Sequence, residues 1–313
     1  MENITIIDNG RQQLTTAGFK PELFEDWTKY LDATPKTIAT YTRNIRPFAL
    51  YMQLNGITQP SRDDVINYRD QLKDQYKPST VQAYIMAVKL FFQWTAQAGI
   101  YPNIAEKVKG AKLDTEHKKD YLTAKQVKKV FETIDTSTLK GKRDYAIMSL
   151  MSTAGLRTIE IIRANIGDMR NVADFTALYI QGKGHDEKNT FVKIAEPVEA
   201  AIREYLTARG KADSSEPLFT SEAHRNGGER MTTRSISRIV KERLKAAGFD
   251  SDRLTAHSLR HTAATLNLLN GGTIEETRQL LRHTNINTTL IYSHALERAK
   301  NNSESRIANA IFG

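Results

Sequence analysis

Two glycines, Gly271 and Gly272, and an asparagine step, Asn285 to Asn287, divide the stretch 255–294 into three short helical patterns. Leu259, Ala263, Leu266 and Leu269 recur at helical spacing. The glycine pair ends that run, because glycine accepts positive φ at no steric cost. Thr273 followed by Glu276 reads as a capping box that opens the second helix. His283 falls near the end of that helix. Asn285 or Asn287 caps a third, which carries Tyr292. Among these patterns sit His257, Arg260, His261, Arg282, His283, Tyr292 and His294, four of the seven histidines of the chain.

The residue types indicate a chemistry. The chain has no cysteine, so thiolate catalysis, disulfides and cysteine–zinc sites are excluded. Tyr292 is a candidate nucleophile, but a phenol with a pKa of about 10 needs a deprotonated oxygen or an activated target. Arginine presents a charged fork that matches two phosphate oxygens. Phosphoryl transfer depends mainly on positioning and charge stabilisation, and histidine adds a proton carrier near neutrality. Tyr, Arg and His together suit covalent attack on a nucleic-acid phosphate. His257 and Arg260 are three apart and share a helix face. His261 reads as a packing or surface histidine.

HSLRHTAAT followed by LRHTNINTTLIYSH resembles the C-terminal half of the tyrosine recombinase (phage integrase) catalytic domain. That family has His-x-x-Arg, then a Leu-Gly-His-like element, then Tyr in an Ile-Tyr-x-His context. The departure is Arg282, where the family often has Gly. Upstream, TAGLRTIE is similar to the family's first-arginine motif, with Arg157 and Glu160 in the matching places. The resemblance implies that Arg157 and Arg260 clamp the phosphate and that Glu160 supports them. Stretch ALYIQGKGHDEKNTFVKIA reads as two strands around a glycine-rich turn. In the family such a hairpin carries an active-site lysine that protonates the departing 5′ oxygen. Lys183, between two glycines, is the match, with Lys188 as competitor.

The rest of the chain divides by pattern. Residues 1–20 read as a short arm. Four helical patterns fill 21–104: one with Phe24, Trp27 and Leu31, one opened by Thr34-Pro35, one by Ser61 and Asp64, and one by Pro78 and closed by Gly99. These make a small helical bundle. Residues 105–120 are lysine-rich and read as a basic linker. A catalytic domain follows over 121–296, and 297–313 is a charged spacer with a short apolar helix. The expected fold is mainly α with a small β-hairpin or sheet. It comprises an N-terminal helical core-binding bundle and a mixed α/β tyrosine-recombinase catalytic domain, clamping a duplex in the manner the resemblance implies. In many family members the C-terminal helix packs into a neighbour; the alternative is docking on its own domain.

Net charge is +9, which suits a polyanionic partner. Lys36, Arg43, Arg46, Lys77 and Lys89 in the bundle, and Arg234, Arg238, Lys241 and Arg243 in a later helix, are candidate DNA contacts or ordinary solvated charges. No apolar run reaches membrane-spanning length, and the start MENITIIDNGRQ carries no signal-peptide pattern; a cytoplasmic, DNA-associated protein is the expectation.

The resemblance implies strand exchange without metal, cofactor or ATP. Tyr292 attacks double-stranded DNA to form a 3′-phosphotyrosyl bond. Arg157, Arg260 and His283 stabilise the transition state, and His257 assists proton transfer. It further implies a homotetramer on two duplexes assembled from free monomers, with room for accessory DNA-bending proteins. Three rivals make different predictions. A type IB topoisomerase-like enzyme rejoins the same strand, a regulator without activity binds DNA without an adduct, and a metal nuclease is stopped by EDTA.

Overall fold

Proline and short polar side chains set the helix starts in the N-terminal part of the chain. Thr34 caps the helix Pro35–Leu54 by accepting from the backbone of Thr37, with Pro35 in the first turn. Ser61 and Asp64 exchange both bonds of a capping box at the next helix, the kind of cap whose removal costs about 1 kcal/mol. The computed structural model describes residues 4–8, 12–16, 21–112, 120–182, 187–223 and 227–313, with side chains at all of these except 4–8, 12–16, 21, 22 and 294–300. The chain divides into two compact units, residues 1–116 and 117–313.

The first unit begins with an antiparallel strand pair, β1 (Ile4–Asp8) and β2 (Gln12–Thr16), inside the stretch expected to be a plain arm. Four helices follow: α1 (Pro21–Tyr30), α2 (Pro35–Leu54), α3 (Arg62–Gln75) and α4 (Pro78–Gln97). The stripes read from the sequence supply the core, with Trp27, Ile45, Phe48, Val65, Val81, Val88, Phe91 and Phe92 buried. Trp27 meets Phe91 edge-on at 5.6 Å, and Phe48 meets Phe92 at 5.9 Å, the arrangement aromatic quadrupoles favour. The expected linker 105–120 is shorter than read. Ala105 and Val108 are buried in this same core, because two apolar residues three apart suffice to pin a lysine-rich segment to the bundle.

The second unit contains α5 (Ala124–Glu132), α6 (Leu139–Thr153), α7 (Thr158–Arg163), β3 (Met169–Val172), β4 (Phe175–Ile180) and β5 (Thr190–Ile194). It continues with α8 (Glu196–Arg209), α9 (Thr233–Ala246), α10 (Ala256–Leu269), α11 (Ile274–Leu281), α12 (Asn287–Lys300) and α13 (Ser303–Phe312). The strands form one antiparallel sheet in the order β3-β4-β5, with Leu178 paired to Met169 on one side and Val192 on the other. The reading from sequence contained only β4 and β5. Helix α6 is buried continuously from Ala146 to Ser152 and packs against α8 and α10. Its polar residues are satisfied in place: Arg143 pairs with Asp144 at 2.8 Å and donates to the carbonyl of Thr220 at 3.0 Å.

The apolar stripe of α10 holds at Leu259 and Ala263, which are buried, and fails at Leu269, which is 45% exposed at the helix end. A separate small cluster of Ala264, Leu281 and Tyr292, with Leu268 and Ile291, joins α10, α11 and α12. The expected boundary at 296 falls inside α12. Beyond it, Ile307, Ile311 and Phe312 of α13 are exposed, so the C-terminal apolar face is not buried on its own unit.

Candidate active site

The tight turn after α6 places the first arginine. Gly155 has φ +58, and a Cβ there would meet Leu281 Cδ2 at 2.9 Å. Only glycine makes this bend at such close quarters. The chain then turns into α7, with Arg157 at its N-cap position and Glu160 in its first turn. The Glu160 carboxylate accepts from the Arg157 backbone N–H and from its guanidinium, both at 2.8 Å. Glu160 is wholly buried. Burial pushes its carboxyl up, but Arg282, the backbone and guanidinium of Arg157, and Arg260 together outweigh that and hold it below the usual carboxylate range.

Helix α10 supplies Arg260, 1% exposed. Its guanidinium donates to the carbonyls of Gly155 and Leu281. These bonds leave the planar fork fixed and its remaining N–H groups for a ligand. Burial first, then the charges of Arg157 and Arg282, bring its pKa down to about 9, so it remains a cation at neutral pH.

Arg157, Glu160, His257, Arg260, Arg278, Arg282 and His283 line one cavity of about 580 Å³, completed by Ile180, Gly182, Thr190, Thr284 and Thr288. Among the described lining residues four arginines meet one carboxylate, Glu160, and even with Glu275 paired to Arg278 the balance stays positive and suited to an anion. His283 lies just past α11 and is hydrogen-bonded through Nδ1 to Thr289 Oγ1 at 2.9 Å. Burial, then Arg260, Arg157, Arg282 and His257, lower its pKa to about 4, so it is a neutral hydrogen-bonding group at physiological pH. His257 stands exposed at the same cavity.

Tyr292 is 6% exposed and sits in the small α10–α11–α12 cluster beside this cavity. Its hydroxyl is hydrogen-bonded to Nδ1 of His261. Burial pushes the phenol up to about 12, against the pull of Arg260 and Arg157. His261, expected to be a packing or surface histidine, is therefore in contact with the candidate nucleophile. The contact spans 31 residues of sequence and follows from the packing of α10 on α12, which no local pattern reveals. Arg278 and Arg282 also escaped the sequence reading as cavity residues. The signal for Arg282 was its place in the motif; for Arg278, which pairs with Glu275 at 2.7 Å and donates to the His283 carbonyl at 3.0 Å, there was none.

Lys183 lies outside the described residues. Its competitor Lys188 is held in an ion pair with Asp168. Of the candidate DNA contacts, Lys36, Arg43, Arg46, Lys77, Arg234 and Arg238 are exposed and Lys89 is half-buried. Lys241 is engaged internally, donating to the Ser251 carbonyl at 2.7 Å and pairing with Asp250 at 3.5 Å. Arg243 is likewise tied to the Thr133 carbonyl and to Asp144. Arg243 reaches the buried Asp144, whereas Lys241 stays part-exposed beside the exposed Asp250.

Residues 120–298 match the phage integrase family, and residues 24–99 match the phage integrase N-terminal SAM-like domain. A tyrosine recombinase of Synechocystis sp. is 31% identical over 83% of this chain and 86% of its own length. The tyrosine recombinase XerD of Listeria monocytogenes is 26% identical over 87% of this chain and 94% of its own length. Among solved structures, XerH recombinase in a post-cleavage complex with its palindromic difH substrate aligns with a TM-score of 0.72 at 20% identity, covering 89% of this chain and 83% of that one. A lambda integrase tetramer on a Holliday junction aligns at 0.66 and 17% identity, covering 87% and 78%. With both family regions present in order and a relative above 30% identity along most of its length, the chain belongs to the phage integrase family and is a tyrosine recombinase.

Proposed function

We propose that this recombinase cuts and rejoins DNA at specific sites, with Tyr292 as the nucleophile. The phenolate attacks a backbone phosphodiester. A 3′-phosphotyrosyl bond forms, and the bond to the 5′ oxygen breaks. The 5′-hydroxyl of a partner strand then attacks the phosphotyrosine and releases Tyr292. The bond energy is kept in the covalent link, so no nucleotide cofactor enters the balance. Arg157 and Arg260 neutralise the phosphate, neutral His283 donates to a non-bridging oxygen, and His257 assists proton transfer. Lys183 protonates the leaving 5′ oxygen, with Lys188 already engaged by Asp168. Glu160 holds Arg157 in place. The observation that carries this reading is the convergence of Arg157, His257, Arg260 and His283 on one cationic cavity, with Tyr292 buried next to it.

The helical N-terminal unit and the catalytic unit both bind duplex DNA, through exposed cations such as Lys36, Arg43 and Arg46 on α2 and Arg234 and Arg238 on α9. Four protomers act on two duplexes. The exposed apolar residues of α13, Ile307, Ile311 and Phe312, support docking of that helix on a neighbouring protomer in a head-to-tail ring. Integration, excision and resolution all follow from the same chemistry and differ in the sites supplied.

Covalent capture tests this reading. The protein is incubated with fragmented, nicked DNA from its own genome and denatured, and the DNA linked to protein is sequenced. An adduct centred on a recurring sequence, absent with Tyr292→Phe, is expected. Tight binding without adduct, even with paired candidate sites, would leave only a binding protein.

A further inference from the structure

We propose that His261 is the catalytic base that takes the proton from Tyr292 as the phenol attacks DNA; the proposal rests on the nucleophile assigned above. Two histidines one helical turn apart on α10 lead from the cavity to the phenol. His257 lines the cavity. Its ring stands edge-on to His261 with centroids 4.5 Å apart. The His261 ring lies 5.3 Å from that of Tyr292, with Nδ1 hydrogen-bonded to the phenol oxygen. His261 and Tyr292 are 5% and 6% exposed, so bulk water is a poor proton acceptor at this point.

His257 stands exposed at the cavity, whereas the phenol itself is hydrogen-bonded to His261, and the other neighbouring groups are committed elsewhere. Arginine cannot accept a proton at neutral pH. The Glu160 carboxylate is bound by Arg157 and Arg282. His283 uses Nδ1 on Thr289. A buried phenol held well above neutral pH needs an acceptor within hydrogen-bond reach, and the imidazole of His261 is in contact with it.

The step balances as a simple transfer. In the tautomer with Nδ1 unprotonated, the O–H bond of Tyr292 breaks and its proton moves to Nδ1, giving an imidazolium. The phenolate pair forms the P–O bond, and the P–O5′ bond breaks. The departing oxygen takes its proton from an ammonium group, the role proposed for Lys183. In rejoining, the 5′-hydroxyl attacks and gives its proton back to the amine that served as donor, the P–O5′ bond forms, the P–O(Tyr) bond breaks, and the imidazolium returns its proton to Tyr292. An imidazolium next to Arg260 is costly in the empty cavity. The incoming phosphodiester brings the compensating negative charge, so transfer is favoured only with DNA bound.

The test uses the full chain and a nicked suicide duplex bearing the sequence recovered by covalent capture. His261→Asn keeps a hydrogen-bonding group near the position of Nδ1 but no base. Adduct formation is expected to fall by about 10²–10⁴-fold with duplex binding unchanged. Trifluorotyrosine at position 292, a more acidic phenol, should recover most of that loss and change the otherwise natural chain far less. A purely structural role gives no such recovery. Should His261→Asn fail to fold, a duplex with sulfur in place of the leaving 5′ oxygen serves instead. The leaving group then needs no proton, so a solvent deuterium isotope effect on cleavage reports the Tyr292 proton. It should be present in the natural chain and lost with trifluorotyrosine. Natural cleavage rates in His261→Asn, a loss the acidic phenol does not recover, or no isotope effect with the sulfur duplex would each overturn the proposal alone. A natural chain that forms no Tyr292 adduct overturns the nucleophile assignment as well.

Discussion

Glu160 and Arg282 form an ion pair at 2.8 Å across 122 residues of sequence, with the carboxylate side chain 1% exposed. Arg282 makes it from an unfavourable backbone. It caps α11 in the left-handed region at φ 53, where glycine is the usual residue. A left-handed residue with a side chain costs roughly 1–2 kcal/mol, whereas removing one partner of a buried ion pair costs about 3–5 kcal/mol. The pair wins, and the guanidinium also donates to the carbonyl of Leu280 at 2.6 Å. Arg282 therefore ties the turn before His283 to the element that carries Arg157.

Arg282→Gly separates these contributions. The backbone relaxes, but Glu160 is left with Arg157 as its direct ion-pair partner. A net loss of about 2 kcal/mol is expected from the two opposing costs, read as a lower urea midpoint. Adding Glu160→Gln should cost less than the sum of the two single changes, because they act on one pair.

Gly155→Ala should destabilise more than a surface substitution. The new Cβ would sit 2.9 Å from Leu281 Cδ2 at φ +58, and the carbonyl that receives Arg260 would have to shift. Thermal melting should show a lower Tm, and DNA cleavage should fall with it. An unchanged melting curve would mean that the turn is not required.

Acid sensitivity should be traceable to His283. Its folded pKa is about 4 against 6.5 for the free side chain, chiefly through burial and then Arg260, Arg157, Arg282 and His257. Between those values the unfolded chain binds the extra proton, so stability falls as pH drops from about 6.5 towards 4. Urea unfolding across that window should show a shallower loss in His283→Asn than in the natural protein. Parallel curves would place the acid sensitivity elsewhere.

Lys183→Ala should cleave slowly, since the departing 5′ alkoxide loses the proton donor proposed for it. A duplex with sulfur in place of that oxygen should restore the rate, because a thiolate leaves without protonation. Lack of recovery, with recovery in Lys188→Ala instead, would transfer the role to Lys188.

Much of this arrangement is legible in the order of residues. The cap of α2, the box at Ser61 and the pairing of Thr273 with Glu276 are local bonds, and local patterns report them. His257 and Arg260 lie on one helix, so their spacing fixes their common face. The contacts of His261 with Tyr292 and of Glu160 with Arg282 depend on how separate helices pack, and no periodicity encodes that. Strand β3 is not legible in the sequence because MRNV is only four residues long and half polar, with its two apolar residues at the ends. The ties of Lys241 to the Ser251 carbonyl and Asp250 are not legible either, because both acceptors sit in the loop after α9.

The most direct test of the central claim is mass spectrometry of the protein–DNA adduct formed on the captured duplex. After nuclease and trypsin digestion, residues 283–298 form one peptide. A nucleotide joined through its 3′ phosphate to Tyr292 in that peptide is the expected result. An adduct on any other residue, or a Tyr292 peptide without added mass while DNA is being cut, would contradict it.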